Sequence, residues 1–250
     1  MASGSHAVPL EIGRNVLGPE YKSYDRAGEA APRKLCKKRP GHLMPYRDRQ
    51  RNLRVFLHHM HQFLRKQELD YGIYIIEQLL NVGYEVSKTM HDYNCFIFHD
   101  VDLIPENDQS VYACQENPYH ISRCLDIYEY KPSYPTIFGG VSALTQAQME
   151  KVNGFSNVFW GWGGEDDDMS TRVRYSGYKL VHANCSTGRY VAMKHEAQKH
   201  SQARHRLIRR SFFRIYKDGL NSLKYRVLDV VFKKLYTHVM VDLFQHTAPK

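Results

Sequence analysis

The sequence has no long apolar run. Its hydrophobic stretches are short, such as Tyr74-Ile75-Ile76, which excludes a membrane-spanning helix within the 250 residues. The opening residues lack the basic–apolar–small order of a signal segment. Five cysteines are too few for a disulfide scaffold, and the odd count leaves at least one thiol unpaired within the chain. There is no internal repeat and no low-complexity tract. Acids are the scarcer charge: 26 Asp plus Glu stand against 35 Lys plus Arg, a formal +9 that favours anionic partners. What is present is ordinary for a globular chain, with 42% hydrophobic and 24% charged residues, so disorder throughout is excluded.

Residues 1–32 mix Gly, Ser, Pro and Ala without a period and are expected to be a disordered leader or tail, leaving 33–250 as a single domain. A basic stretch from Arg33 to Arg54 contains Pro45-Tyr46-Arg47-Asp48-Arg49. Leu53, Phe56, Leu57, Met60 and Leu64 recur at helical spacing. Tyr71 to Ile76 is β-rich, Leu79 to Met90 reads as a helix, and Cys95 to Phe98 as a buried strand running into Asp100 and Asp102. Strand–helix–strand order predicts an α/β layered sheet. Residues 105–165 read as strands with long loops, and Glu165 to Tyr175 as a helix with acids in its first turn. Two further strands are expected within Leu223 to Leu228 and Tyr236 to Val241.

Three motifs point to chemistry. Asp100-Val101-Asp102 follows a strand, and on extended backbone residues two apart share a face, so both carboxylates could meet one cation; equally, they could be loop acids facing water. In Trp160 to Asp168, two Trp alternate with Gly before four successive acids. Flat apolar faces beside bare backbone suit sugar or base rings, and the acids offer a general base. Met193 and His195 are candidate metal ligands of a weaker kind. Residues 199 to 217 carry seven Lys/Arg before Asp218 closes the run. A nucleic-acid-binding reading rests on that run alone, without any recognised nucleic-acid motif.

Together, Phe98 to Pro105, Ile137 to Leu144, Asn153-Gly154-Phe155, Trp160 to Asp168 and Asp218 to Leu223 resemble the β-1,4-galactosyltransferase family, in the family's order and from about Pro45 to Phe244. The resemblance implies a GT-A-like fold: a mixed central sheet flanked by helices, with long active-site loops. It implies an Mn²⁺-dependent, Golgi-luminal enzyme that is membrane-bound only through an anchor absent from this sequence, and that needs no nucleic acid. The donor site would comprise Pro45, Tyr46, Arg47, Arg49, Val101, Asp102, Ile137, Trp162 and His195. Tyr134, Gly163, Gly164, Glu165, Asp166 and Arg204 would meet a GlcNAc-terminated acceptor. Asp166, with Glu165, would be catalytic, taking the proton from the acceptor 4-hydroxyl. Asp102 and His195 would hold the metal with Met193, although the family's metal-binding Met aligns with Ala192. Cys95 and Cys114 match a family disulfide; Cys36 matches a family Cys whose partner lies upstream, and Cys124 and Cys185 are additional. Asn184-Cys185-Ser186 fits a glycosylation sequon.

There are departures. Only Leu43-Met44 precede Pro45 where the family has a longer β run. About ten residues of the family's nucleotide site are expected to be missing between Gln78 and Leu79. A Lys near the donor aligns with Ile127. Galactose-specific members carry Tyr where this sequence has Ile137, and invertebrate members that use UDP-GalNAc carry Ile. A smaller side chain there leaves room for an acetamido group; alternatively, Ile137 is simply a β-branched strand residue. The expectation is an inverting transferase moving GalNAc, or Gal, from its UDP conjugate to terminal β-GlcNAc. The alternatives are a UDP-Gal-using β-1,4-galactosyltransferase and an inactive, lectin-like relative.

Overall fold

Alternation along the central strands divides the core into two layers. Ile73, Ile75 and Ile97 pack on one face with Phe56, Met60 and Leu64. Tyr74, Ile76, Phe96 and Phe98 pack on the other with Val82, Tyr84 and Val86. The period-2 pattern therefore buries both faces of one sheet, as a strand layer between helices requires. The computed structural model describes residues 39–46, 49–76, 79–196 and 198–244. The expected leader, Cys36 and Arg47 lie outside them.

The described elements are β1 (Pro40–Pro45), α1 (Gln50–Lys66), β2 (Gly72–Ile76), α2 (Leu80–Met90), β3 (Cys95–His99), β4 (Leu103–Pro105), β5 (Tyr119–His120), β6 (Cys124–Leu125), β7 (Val141–Leu144), α3 (Gln146–Lys151), α4 (Glu165–Tyr175), β8 (Val181–His182), β9 (Arg189–Ala192), α5 (Arg204–Arg209), α6 (Ser211–Arg214), β10 (Arg226–Phe232) and β11 (Thr237–Asp242). Eight strands form a mixed sheet in the order β10-β11-β2-β1-β3-β7-β5-β8, and β4-β9-β6 form a smaller one. β1 is parallel to both β2 and β3, whereas β7 runs antiparallel to β3. Among the described residues no helix is long and apolar enough to cross a membrane.

Two expectations change. The short β run before Pro45 is a full six-residue strand at the centre of the sheet. Its sequence, Pro-Gly-His-Leu-Met-Pro, has weak strand propensity, but ladders on both sides hold it. The strand carrying Asp100 ends at His99, so Asp100, Val101 and Asp102 form a turn rather than extended backbone. Leu103 N–H closes that turn on the Asp100 carbonyl at 3.1 Å.

α4 is oriented by a buried charge network. Arg172 is fully buried; its Nε donates to Asp168 Oδ2 at 2.5 Å and its Nη1 to the Asp218 carbonyl at 2.7 Å. Arg214 Nη2 donates to Asp168 Oδ1 at 2.8 Å. Disulfides join Cys95 to Cys114 and Cys124 to Cys185.

Candidate active site

A cleft of about 820 Å³ opens where β3, the 134–140 segment, the first turn of α4 and the start of α5 meet. Its volume suits a small-molecule ligand. Pro45, Tyr46, Arg49, Val101, Asp102, Tyr134, Ile137, Trp162, Gly163, Gly164, Glu165, Asp166, His195 and Arg204 all line it. Sequence positions from 45 to 204 thus meet in one place, which is what a single substrate site demands.

The acids of α4 divide by position. Gly164 begins the helix at φ 102°, a left-handed conformation that favours glycine, and a Cβ there would come within 2.8 Å of the Phe159 ring. The turn delivers Glu165 and Asp166 to the cleft. Asp166 packs so closely on Gly139 that any Cβ at 139 would overlap its carboxyl group. Burial, then Glu165, Asp100 and Asp167, push the Asp166 carboxyl well above the usual range. Burial also raises Glu165, and its Oε2 is buried without a hydrogen-bond partner. Asp167 accepts from the Tyr134 hydroxyl at 2.8 Å.

On the other side, burial, Asp102 and Glu165 push Asp100 up to about 8. Asp102 Oδ2 receives Arg49 Nη1 at 2.7 Å and lies 2.9 Å from His195 Nε2. The His195 Nδ1 donates to the Glu196 carbonyl at 2.7 Å, so on a neutral ring the Nε2 lone pair faces the carboxylate. Two acceptors this close need a cation between them, either a proton or a metal. The donor set of one carboxylate and one imidazole oriented by a backbone carbonyl fits a divalent ion that takes its remaining ligands from phosphate and water. Met193 does not join them. It is not among the residues that line the cleft, whereas Ala192 is; both pack against the same apolar core. Among the described residues no three His, Cys, Asp or Glu side chains gather into a metal cluster.

The loops carrying Trp162 and Arg204 interlock. Ser201 N–H donates to the Trp162 carbonyl at 3.0 Å, and the Trp162 ring meets His200 edge-on at 4.7 Å. Arg204 donates to His200 Nδ1 and, at 3.2 Å, to His205 Nε2. Ile127, where the family's Lys would stand, is exposed at the cleft. β2 ends at Ile76 and α2 starts at Leu80, so the connection there is short. Reading the sequence alone missed Gly139, His200, His205 and Ile208 as cleft residues. Only Gly139, inside Phe138-Gly139-Gly140, carried a usable signal.

Comparison with known proteins places this geometry. Residues 14–115 match the N-terminal region of glycosyl transferase group 7, and residues 119–196 match the family described as the N-terminal domain of galactosyltransferase. β-1,4-galactosyltransferase 2 of Cricetulus griseus is 41% identical over 215 residues, and β-1,4-galactosyltransferase 4 of the same species is 43% identical over 216. The chain belongs to the β-1,4-galactosyltransferase family. These alignments take in 80% and 81% of this chain but 58% and 62% of the relatives, so the chain spans about three-fifths of their length. The catalytic domain of Drosophila β-1,4-galactosyltransferase 7 in complex with xylobiose superposes with a TM-score of 0.71 at 27% identity, covering 82% of this chain and 94% of that one. A mutant of the same enzyme in complex with manganese, UDP-Gal and xylobiose gives 0.70. The fold of this family member is therefore GT-A, with the mixed sheet and flanking helices expected of it.

Proposed function

We propose that the chain transfers GalNAc from UDP-GalNAc to the 4-hydroxyl of terminal β-GlcNAc on glycans, with inversion at the anomeric carbon, in the Golgi lumen. The observation that carries this reading is the meeting of Asp166, the Asp102–His195 pair and Ile137 in one cleft. Asp166 is the base. Its crowded, half-buried carboxyl holds a proton more firmly than an ordinary carboxylate, as a group accepting the acceptor hydroxyl's proton needs to. Asp102 and His195 would hold Mn²⁺, which when bound offsets charge on the departing diphosphate. Arg49, 2.7 Å from Asp102, adds a fixed positive charge on the same side. Trp162, 46% exposed, offers an open ring face for a sugar. The bare backbone of Gly163 would let the acceptor approach closely, with Arg204 beside it at the cleft.

Ile137 supports GalNAc over Gal because a branched aliphatic side chain, rather than a phenol ring, faces the cleft. UDP-Gal is the competing donor, favoured by the galactosyltransferase names of the relatives. A donor screen decides between them: UDP-GalNAc, UDP-Gal, UDP-GlcNAc and UDP-Glc with a GlcNAc acceptor and Mn²⁺. The expected result is turnover of UDP-GalNAc at least equal to that of UDP-Gal. A strong preference for UDP-Gal would transfer the reading to a galactosyltransferase. Glycan binding without turnover of any donor would leave a lectin.

A further inference from the structure

We propose that His120 and His182 share one proton and act together as positioning residues for the 134–140 segment, which presents Ile137 to the donor. Five carbonyls of that segment are held from outside or by a local turn. The Tyr134 carbonyl accepts from Ile137 N–H at 3.1 Å, and the Thr136 carbonyl from the Ser170 hydroxyl at 2.6 Å. The Gly140 carbonyl accepts from Asp100 N–H at 2.9 Å. The remaining two contacts come from the histidines. His120 Nε2 lies 2.8 Å from the Gly139 carbonyl, which also accepts from Ser122 Oγ at 3.2 Å. His182 Nε2 lies 3.0 Å from the Pro135 carbonyl. The two rings then meet at 3.0 Å through their Nδ1 atoms, nearly perpendicular.

Proton accounting follows from the chemistry of the groups. A carbonyl can only accept, so both Nε2 atoms must carry hydrogen. Two neutral imidazoles have one N–H each, which would leave both Nδ1 atoms bare and facing each other. One additional proton between them satisfies all three contacts and gives the pair a single positive charge. Without it one contact fails. The weakest is His182 to Pro135, because His120 is fully buried and doubly tied whereas His182 is partly exposed.

The groups around the pair oppose this proton only modestly in number. Arg123 is the cation acting on both rings. The β7 residues in register with Tyr119 and His120, namely Ala143 and Ser142, carry no charge, and the Phe138 ring lies 6.2 Å from His120. Burial, His182 and Arg123 hold His120 down to about 3, so the added proton resides on His182, itself lowered by burial and Arg123. The clamp is therefore complete on the acid side and loosens as pH rises.

The consequence for donor use rests on the transferase reading above, so two kinds of readout are needed. In the first, both rings being lowered below the ordinary imidazole value of 6.5, KM for the preferred UDP-sugar should rise by about three- to tenfold from about pH 5 to about pH 7, the value of one hydrogen bond, with kcat changed less than about twofold. His182→Gln keeps an uncharged donor for the Pro135 carbonyl and should flatten that slope near the low KM. His182→Phe has no donor and should show the high KM at every pH. In the second, independent of turnover, imidazole nitrogen NMR at about pH 5, on the acid side of the lowered rings, should find three N–H protons across the two rings. Exchange of the Ile137 amide should quicken beyond the intrinsic pH effect as that third proton leaves. A wild-type pH slope retained in His182→Gln would overturn the proposal, as would only two ring protons at about pH 5 or wild-type behaviour of His182→Phe. If no UDP-sugar turns over, the transferase reading fails, and the NMR and exchange results still decide the fate of the clamp.

Discussion

Helix α4 puts two kinds of acid one turn apart. Asp168 is fully buried and meets Arg172 and Arg214, and behind them Asp218 ties Arg172 to the chain. Glu165 and Asp166, at the open end, crowd each other and Asp100, and among the described residues neither forms an ion pair; Glu165 even leaves an oxygen unpartnered. The first group consists of charges that satisfy one another, and such networks fix a geometry. The second is kept in mutual repulsion, and perturbed carboxyls in a cleft mark places where a ligand is to complete the balance. The difference teaches that the acidic run Glu165-Asp166-Asp167-Asp168 is not one motif: its end is scaffold and its beginning opens on the cleft.

The largest expected effect tests the open end. Asp166→Asn should lower turnover by about 10²- to 10⁴-fold, the usual worth of a general base, while UDP affinity stays within a few-fold. Equal loss of UDP binding, measured by calorimetry, would make Asp166 a structural residue and collapse the contrast with Asp168. Next in size is Asp168→Ala, which strands the Arg172 guanidinium in the interior. It should cost about 3–5 kcal/mol of unfolding free energy, with turnover per folded molecule little changed. Denaturant titration near wild-type stability would show that the network is not holding α4.

Ile137→Tyr concerns the 134–140 wall of the cleft. Overpacking a formed site costs about 1–3 kcal/mol, so kcat/KM for UDP-GalNAc relative to UDP-Gal should fall by about one to two decades. An unchanged ratio would remove Ile137 from specificity. The smallest effect is on stability against pH. Asp100 is pushed up to about 8 in the folded protein against an ordinary carboxylate value when unfolded. The folded state therefore binds more protons across that interval, and stability drops as pH climbs through it. Buried His42, His99 and His120, all lowered, act in the opposite sense below about 6.5, so the clear window lies from there to about 8.5. Melting temperatures of metal-free protein should decline over that window, and Mn²⁺ should restore them because a bound cation favours ionised carboxylates. A rising curve in the metal-free protein would contradict the crowding of acids in the cleft.

Much of the scaffold was legible because it obeys local rules. The 3.6-residue spacing of Leu53 to Leu64 produced α1, and the apolar run at Cys95 produced β3. β1 was not legible, since a Pro- and Gly-containing segment becomes a strand only when neighbours supply both ladders. The Asp100–Asp102 turn was misjudged as extended because nothing local announces where β3 stops. Motif resemblance brought Asp102, Asp166 and His195 to attention, and the structure gathers them into one cleft. It could not separate Ala192, which lines the cleft, from Met193 beside it, which does not. The His120–His182 contact was invisible for a different reason: two histidines far apart in sequence meet only because β5 pairs with β8.

The Met193 N–H donates to the Asp102 carbonyl at 2.7 Å, and β4 pairs with β9 beside it. That single backbone bond brings together segments from opposite halves of the chain, the one with the carboxylate and the one leading to His195. Contacts of such long sequence separation close late, after nearer ones have paid the loop entropy. A half-folded chain would own each of the two side chains but not the pair. If the pair holds Mn²⁺ as proposed, metal affinity becomes a report on completion: Mn²⁺ would grip only molecules that have finished folding, and its release would be among the earliest signs that the chain has begun to come apart.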